Sequence, residues 1–162
     1  MKEFSLETLT DEHFIDGFTC GIEPLENWLK NSANRAQKQG SARTKVLVPH
    51  DRKNVLGYYS IAPTSVERAT LPAAAAGGIS VVPAFLLARL ALSSQMQGQG
   101  LGGELLAAAL RDIIAASKLV GGRVIVVDAL DEKALSFYQH YGFKRIGNSR
   151  RLYERISALS GS

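Results

Sequence analysis

A single cysteine, Cys20, leaves no internal disulfide and no cysteine-rich zinc site open to this chain. We read it as a small buried residue, not a nucleophile. Long apolar runs are missing too. "LPAAAAGG" and "FLLARLAL" fall short of the roughly 18 residues that a membrane span needs, and the second carries a charge. The start, "MKEFSLETLTDEH", lacks the basic-then-apolar order of a secretory signal. A cytoplasmic protein without a membrane role is expected. There are only three histidines, His13, His50 and His140, so an imidazole base is not obvious, and His140 is expected on an exposed helix face. No internal repeat and no extended disordered tract occur. The 162 residues suit one domain, 1–162.

Charge is present but segregated. Net charge is +4, yet residues 30–53 hold seven Lys or Arg against Asp51. Residues 144–155 hold five against Glu154, while the first 29 residues carry seven acids and one lysine. Such segregation suggests a polyanionic partner; a solvated basic surface is the plainer reading.

Hydrophobic periodicity gives a mixed α/β order. After the turn-rich entry "ETLTDEHFIDGFTCG", the stretch "EPLENWLKNSANRAQKQG" reads as one helix. Its apolar stripe is Leu25, Trp28, Leu29, Ala33 and Ala36, Pro24 sits at its start and Gly40 stops it. "TKVLV" and "NVLGYYSIA" form a hairpin around "PHDRK". "ERATLPAAAAGG" reads as a linker. "FLLARLAL" is a central strand, and Leu101, Leu105, Ala109 and Ile113 mark a helix that "GG" at 121–122 ends. "RVIVVDA" is a second buried strand. "DEKALSFYQHYGF" is a helix capped by Asp131, with Ala134, Phe137, Tyr138 and Tyr141 on one face and Gly142 as its stop. Short strands from Phe143 and at "RLYERI" close the chain.

Between the central strand and its helix lies "QMQGQGLGG", with four glycines in six positions. A packing corner needs fewer. Gly98, Gly100 and Gly103 spell G-x-G-x-x-G, but five residues separate the strand from the first glycine. Too little chain also follows Asp128 for a second mononucleotide half, which tells against a dinucleotide fold. A P-loop fails because no Gly-Lys-Ser/Thr follows. An anion cradle without lysine remains: glycine lets main-chain N–H groups converge, and the helix from about residue 101 presents its positive end.

Gln97-x-x-Gly100-x-Gly102 resembles the Q/R-x-x-G-x-G/A signature of the GNAT superfamily of acyl-CoA N-acyltransferases. "ARLAL" before it and "VIVVDALDEKALSFYQHYGFKRIG" after it resemble further family blocks, so the likeness spans residues 86–147. It implies a GNAT domain: a mostly antiparallel mixed sheet flanked by helices, with a splayed central strand pair holding acetyl-CoA. It implies that the pantetheine arm pairs with Leu90, Ala91 and Leu92. The pyrophosphate would lie on Gln97, Gly98, Gln99, Gly100, Leu101, Gly102 and Gly103, with Phe137 nearby. In the family element "A-x-x-F-Y-x-x-x-G-F" the catalytic tyrosine follows the Phe, which is Tyr138 here. Tyr141 is expected to pack under the helix.

The N-terminal half carries a narrower likeness. Cys20-Gly-x-x-x-Leu-x-x-Trp-Leu29, Gly40-x-Ala-Arg-Thr44 and Gly57-Tyr-Tyr59 resemble GNAT toxins of bacterial toxin–antitoxin pairs. With the first block, the likeness covers about 20–68 and 83–156. It implies acetylation of the α-amine of aminoacyl-tRNA and a block of translation. It also implies neutralisation by a ribbon–helix–helix antitoxin, and promoter DNA bound only through that complex. Arg35, Lys38, Arg43, Lys45, Arg150 and Arg151 are then candidates to hold tRNA phosphates, and both segments would flank the acyl end of the cofactor site. An α-amine, with a pKa near 7.7–8.0, needs no strong base at pH 7. No metal is expected. Two other readings stay open: a GNAT enzyme for a small amine or protein N-terminus, and a non-catalytic GNAT-fold module in a repressor complex. The choice of tRNA and the oligomeric state, a homodimer included, are not decided by the sequence.

Overall fold

The computed structural model describes residues 3–51 and 54–159. Arg52 and Lys53, part of the expected hairpin turn and basic segment, lie outside the described residues. Among the described residues seven strands appear: β1 (Phe4–Thr8), β2 (Arg43–Pro49), β3 (Gly57–Glu67), β4 (Val81–Leu92), β5 (Val124–Asp128), β6 (Lys144–Arg145) and β7 (Arg151–Arg155). Six helices join them: α1 (Glu23–Asn31), α2 (Ala33–Gln39), α3 (Ala73–Ala76), α4 (Leu101–Val120), α5 (Glu132–His140) and α6 (Ile156–Leu159). The strand order is β1-β2-β3-β4-β5-β7-β6. β1–β2, β2–β3, β5–β7 and β6–β7 pair antiparallel, and β4–β5 is parallel. The β4–β5 register runs from Ala84↔Val124 to Leu86↔Val126, although β4 continues to Leu92 and β5 to Asp128. The mixed, mostly antiparallel α/β sheet is as expected.

The chain sorts into two compact units: the chain up to Ala62 with Arg89–Ala109, and Pro63–Ala88 with the chain from Leu110 on. In the first, Leu9, Phe18, Cys20, Leu25, Leu29, Ala33, Val46, Val48 and Tyr58 form the core, with Trp28 half-buried against it. Gly57 allows β3 to come close there: a Cβ on it would lie 3.0 Å from the Ala91 carbonyl oxygen. In the second, Val66, Leu71, Ala75, Ala76, Val82, Val124, Val126 and Tyr153 pack together.

Four expectations need correction. The first helix is two. Ser32 leaves helical dihedrals (φ −130°), yet its N–H still donates to Trp28 O and its carbonyl accepts from Ala36 N–H. The apolar stripe therefore continues across the break. β1, a five-residue edge strand made by pairing with β2, lies ahead of the turn-rich stretch and takes in only its first two residues, Glu7 and Thr8. The supposed linker holds α3, bracketed by Pro72 and left-handed Gly77, and it buries Ala75 and Ala76. Last, α5 ends at His140, so Tyr141 is the cap residue. It drops off the apolar face and is 42% exposed rather than packed under the helix.

Candidate active site

In the first unit, β4 delivers Leu90, Ala91 and Leu92. Its end is pinned by Ser93 N–H to Leu56 O and Ser94 N–H to Thr19 O, both 2.8 Å. After a short 3-10 turn, Gly98 (φ 80°) and Gly100 (φ 78°) take left-handed conformations. A Cβ at either would meet nothing within 4 Å, so these glycines serve backbone shape and not packing. Leu101 then opens α4, with Gly102 and Gly103 in its first turn. Residues 97–100 are exposed. Left-handed glycines followed at once by a helix N-terminus are a backbone arrangement suited to an anion, with no cationic side chain required.

The Gln97 side chain shapes this loop. Its Nε2 donates to Cys20 O (2.9 Å) and Leu92 O (3.0 Å), which ties the loop to the end of β4 and to the segment before α1. Cys20 is in turn fixed by Glu26, whose Oε2 accepts from Cys20 N–H (2.7 Å) and Gly21 N–H (2.9 Å). The Cys20 bond, then the Gly21 bond, hold the Glu26 carboxyl below its usual range. Burial pushes the Cys20 thiol up, away from thiolate chemistry, in line with a packing role. A cavity of about 140 Å³ beside the loop is lined by Phe14, Phe18, Val55, Leu56, Ser93 and Gln95. The buried Ser93 Oγ has no hydrogen-bond partner in the protein, and water suits that space.

Two residues of this unit escaped sequence reasoning: Glu26, whose contacts are made by folding, and Arg89. The latter left a signal, as the lone charge inside "FLLARLAL". Its guanidinium carbon lies 4.1 Å from the Trp28 ring centroid. Trp28 stacks on Tyr58 (6.1 Å, 12°), and Tyr58 Oη donates to Leu25 O (2.7 Å). Burial raises the Tyr58 phenol far above its ordinary value.

In the second unit, Asp131 caps α5 by accepting from Ala134 N–H (2.8 Å). The helix then buries Leu135 and Tyr138. The Tyr138 ring sits edge-on to Phe137 (5.3 Å) and Phe143 (5.8 Å). Burial raises its phenol above the ordinary tyrosine value, which disfavours the phenolate. Tyr141 leans on Phe137 (5.1 Å) and His140 (4.9 Å). His140 is exposed, as expected.

The basic candidates divide between the units. Arg35 and Lys38 on α2 and Arg43 and Lys45 on β2 belong to the first. Arg43 Nη1 donates to Gln37 O (2.8 Å), which joins the helix end to the strand start. Arg43 and Lys45, two apart, share one strand face opposite buried Thr44. Lys38 pairs with Asp11 at 3.0 Å; both are well exposed, so the pair is weak and easily exchanged. Arg150 and Arg151 belong to the second unit. Arg150 donates to Leu130 O (3.0 Å). Arg151 makes a bidentate pair with Asp128 (2.8 and 2.9 Å) across the β5–β7 ladder, a structural engagement that charge counting did not reveal. Among the described residues, no group of three or more His, Cys, Asp or Glu side chains is gathered as a metal site. No described helix is long and apolar enough to cross a membrane.

Comparison with known proteins gives a consistent picture. The tRNA-acetylating toxin of Mycobacterium tuberculosis (strain ATCC 25618 / H37Rv) is 34% identical over 137 residues, 84% of this chain and 81% of that protein. A probable toxin TacT of Sinorhizobium fredii (strain NBRC 101917 / NGR234) is 30% identical, covering 83% and 80%. Among solved structures, a tyrosine-to-phenylalanine mutant of KacT superposes with a TM-score of 0.92 at 32% identity, over 98% of each chain. AtaT complexed with acetyl-methionyl-tRNAfMet gives 0.89 at 32%, over 97% of each. An AtaT mutant bound to the C-terminus of the antitoxin AtaR and acetyl-CoA gives 0.84 at 30%, over 98% and 96%. The family described as "Acetyltransferase (GNAT) domain" matches residues 42–145, which take in β2 through β6 and hold the glycine loop and α5. With residues 42–145, more than half of its length, matched, the chain belongs to the GNAT family of acetyltransferases.

Proposed function

We propose that this protein is a toxin that transfers the acetyl group of acetyl-CoA to the α-amine of aminoacyl-tRNA and so stops translation. The likeness over 97% of both chains to AtaT, solved with acetyl-methionyl-tRNAfMet, carries the reading. The loop supplies the first step. The N–H groups of residues 98–103 hold the CoA pyrophosphate, and Gln97 and Glu26 keep the loop in that shape. The edge of β4 at Leu90–Leu92 pairs with the pantetheine arm, and Phe137 lies near the cofactor. Arg35, Lys38, Arg43, Lys45, Arg150 and Arg151 contact RNA phosphates, with Arg151 oriented by Asp128.

Chemistry then needs little from the protein. A free α-amine is already partly neutral at pH 7 and attacks the thioester carbon. The carbon–sulfur bond breaks as the carbon–nitrogen bond forms. Tyr138 donates its proton to the leaving CoA sulfur, the amine nitrogen gives up one proton to solvent, and Tyr138 regains one from solvent. Acetylation removes the charge and nucleophilicity of the amine. An antitoxin, of the ribbon–helix–helix kind by family likeness, neutralises the toxin, and promoter DNA is reached only through that pair. Both act in the cytoplasm, where the tRNA is. Expression in bacteria without the antitoxin tests this. Growth arrest that Tyr138→Phe relieves supports the reading. Unimpeded growth of cells making folded parent protein contradicts it.

A further inference from the structure

Arg89 is a charge placed where charge is costly. It is half-buried on β4, between half-buried Ala88 and Leu90. Its flat guanidinium rests 4.1 Å from the centre of the Trp28 ring, and that ring is braced by Tyr58 at 12° from parallel. Trp28 in turn lies against the core of the first unit. No carboxylate among the described residues forms an ion pair with Arg89. Burial lowers its affinity for the proton. Tyr58 itself donates to Leu25 O.

Stacking engages the face of a guanidinium, but its five N–H donors lie in the plane, around the edge. The ring therefore orients Arg89 without satisfying its donors. A partly desolvated cation with idle, pre-oriented donors is poised for an oxyanion, and bidentate binding of phosphate is what that fork fits best. Its place narrows the source. Arg89 directly precedes Leu90–Leu92, the stretch that carries the acyl arm in the reading above, on which this inference rests. The anion nearest the α-amine of an aminoacyl-tRNA is the 5′-phosphate of the terminal nucleotide, on the ribose that bears the amino acid. We propose that Arg89, held flat on Trp28, binds the phosphate of the 3′-terminal nucleotide and so orients the amine toward the thioester.

Trp28 is the only tryptophan, so its emission reports on this contact directly. With the cofactor site saturated by CoA, adenosine 5′-monophosphate should change Trp28 emission and adenosine should not. Arg89→Met keeps an unbranched stem on the ring. It should bind adenosine 5′-monophosphate at least tenfold more weakly while its acetyl-CoA affinity is unchanged. Arg89→Lys, with charge but no planar fork, should fall between, and it carries the test if Arg89→Met does not fold. In turnover, the parent should prefer aminoacyl-adenosine bearing the 5′-phosphate over the same ester without it by about tenfold or more. The Arg89 variants should lose that preference. An adenosine response equal to that of the monophosphate, no response in the parent, or a phosphate preference that survives in Arg89→Met would overturn the proposal. The emission titration needs no turnover. A phosphate response in a protein that acetylates no aminoacyl-RNA would fault the functional reading and leave Arg89 standing.

Discussion

Gly100 and Gly78 form a matched pair. Both have left-handed backbones, φ 78° and 79°, and in both a Cβ would meet no atom within 4 Å. Alanine at either therefore carries the same intrinsic penalty, about 1–2 kcal/mol for an L-residue in the left-handed region. No clash adds to it. The two differ only in what they are for. Gly78 follows α3 in the second unit; Gly100 directly precedes α4 in the first, within the loop proposed to hold pyrophosphate. Gly78→Ala should lower Tm by roughly 2–8 °C for a domain of this size and leave acetyl-CoA affinity untouched. Gly100→Ala should show its penalty in binding, because an exposed loop can relax when empty and must be restored to hold pyrophosphate. One to two kcal/mol corresponds to about 5- to 30-fold weaker binding. Calorimetric titration with acetyl-CoA and a thermal melt on each variant give the four numbers required. A Gly100→Ala loss well above about 30-fold would mean that the added methyl meets the ligand itself. Parent-like affinity in folded Gly100→Ala, or equal affinity losses in both variants, would refute the role given to the loop.

Tyr138→Phe should fold and bind acetyl-CoA as the parent does, yet lose on the order of 10²–10⁴ in turnover, measured with saturating acceptor. Exposed Tyr141→Phe should stay near parent activity; the reverse ranking would exchange the two roles. Burial raises the phenols of Tyr58 and Tyr138, so the folded state keeps protons that the unfolded chain releases near pH 10. That stabilisation is complete below pH 10 and is lost as pH rises beyond it, so Tm should fall above pH 10, and less steeply in Tyr138→Phe. Replacing Arg35, Lys38 and Arg43 together by Glu should weaken tRNA binding without altering acetyl-CoA affinity. It should also flatten the log–log salt dependence by about two units or more, read from filter binding at several salt concentrations. Gly57→Ala places a methyl 3.0 Å from the Ala91 carbonyl and should destabilise the first unit, seen as a lower Tm even without ligand.

What was legible in the sequence was what strong local signals carry. α4, β4 and β5 have long apolar patterns, and Gly40, Gly121 and Gly142 end helices where left-handed residues were expected. The glycine loop could be read because its shape depends on residues next to one another. The missed features depend on distant partners or leave no compositional mark. The break at Ser32 changes a dihedral but keeps the hydrogen bonds and the stripe on either side. β1 is a strand because β2 lies beside it. For α3 the punctuation was present, Pro72 before and Gly77 after, but four alanines gave no periodicity to set against a linker. Tyr141 was misplaced by one residue of helix length. Gln97 was legible as a loop residue, but its role as a tie needs Cys20, 77 positions away. Arg151 counted as free charge until Asp128 lay opposite it in the ladder.

The central claim is that the acetyl group ends on the α-amine of an aminoacyl-tRNA. Purified protein should be given acetyl-CoA labelled in the acetyl group and a deacylated or aminoacylated tRNA pool. The label should enter only the aminoacylated pool, leave the RNA when the amino-acid ester is hydrolysed at mild alkaline pH, and be recovered as an N-acetyl amino acid. Label that enters deacylated tRNA equally, or appears only on protein or small amines while charged tRNA stays unlabelled, would contradict it.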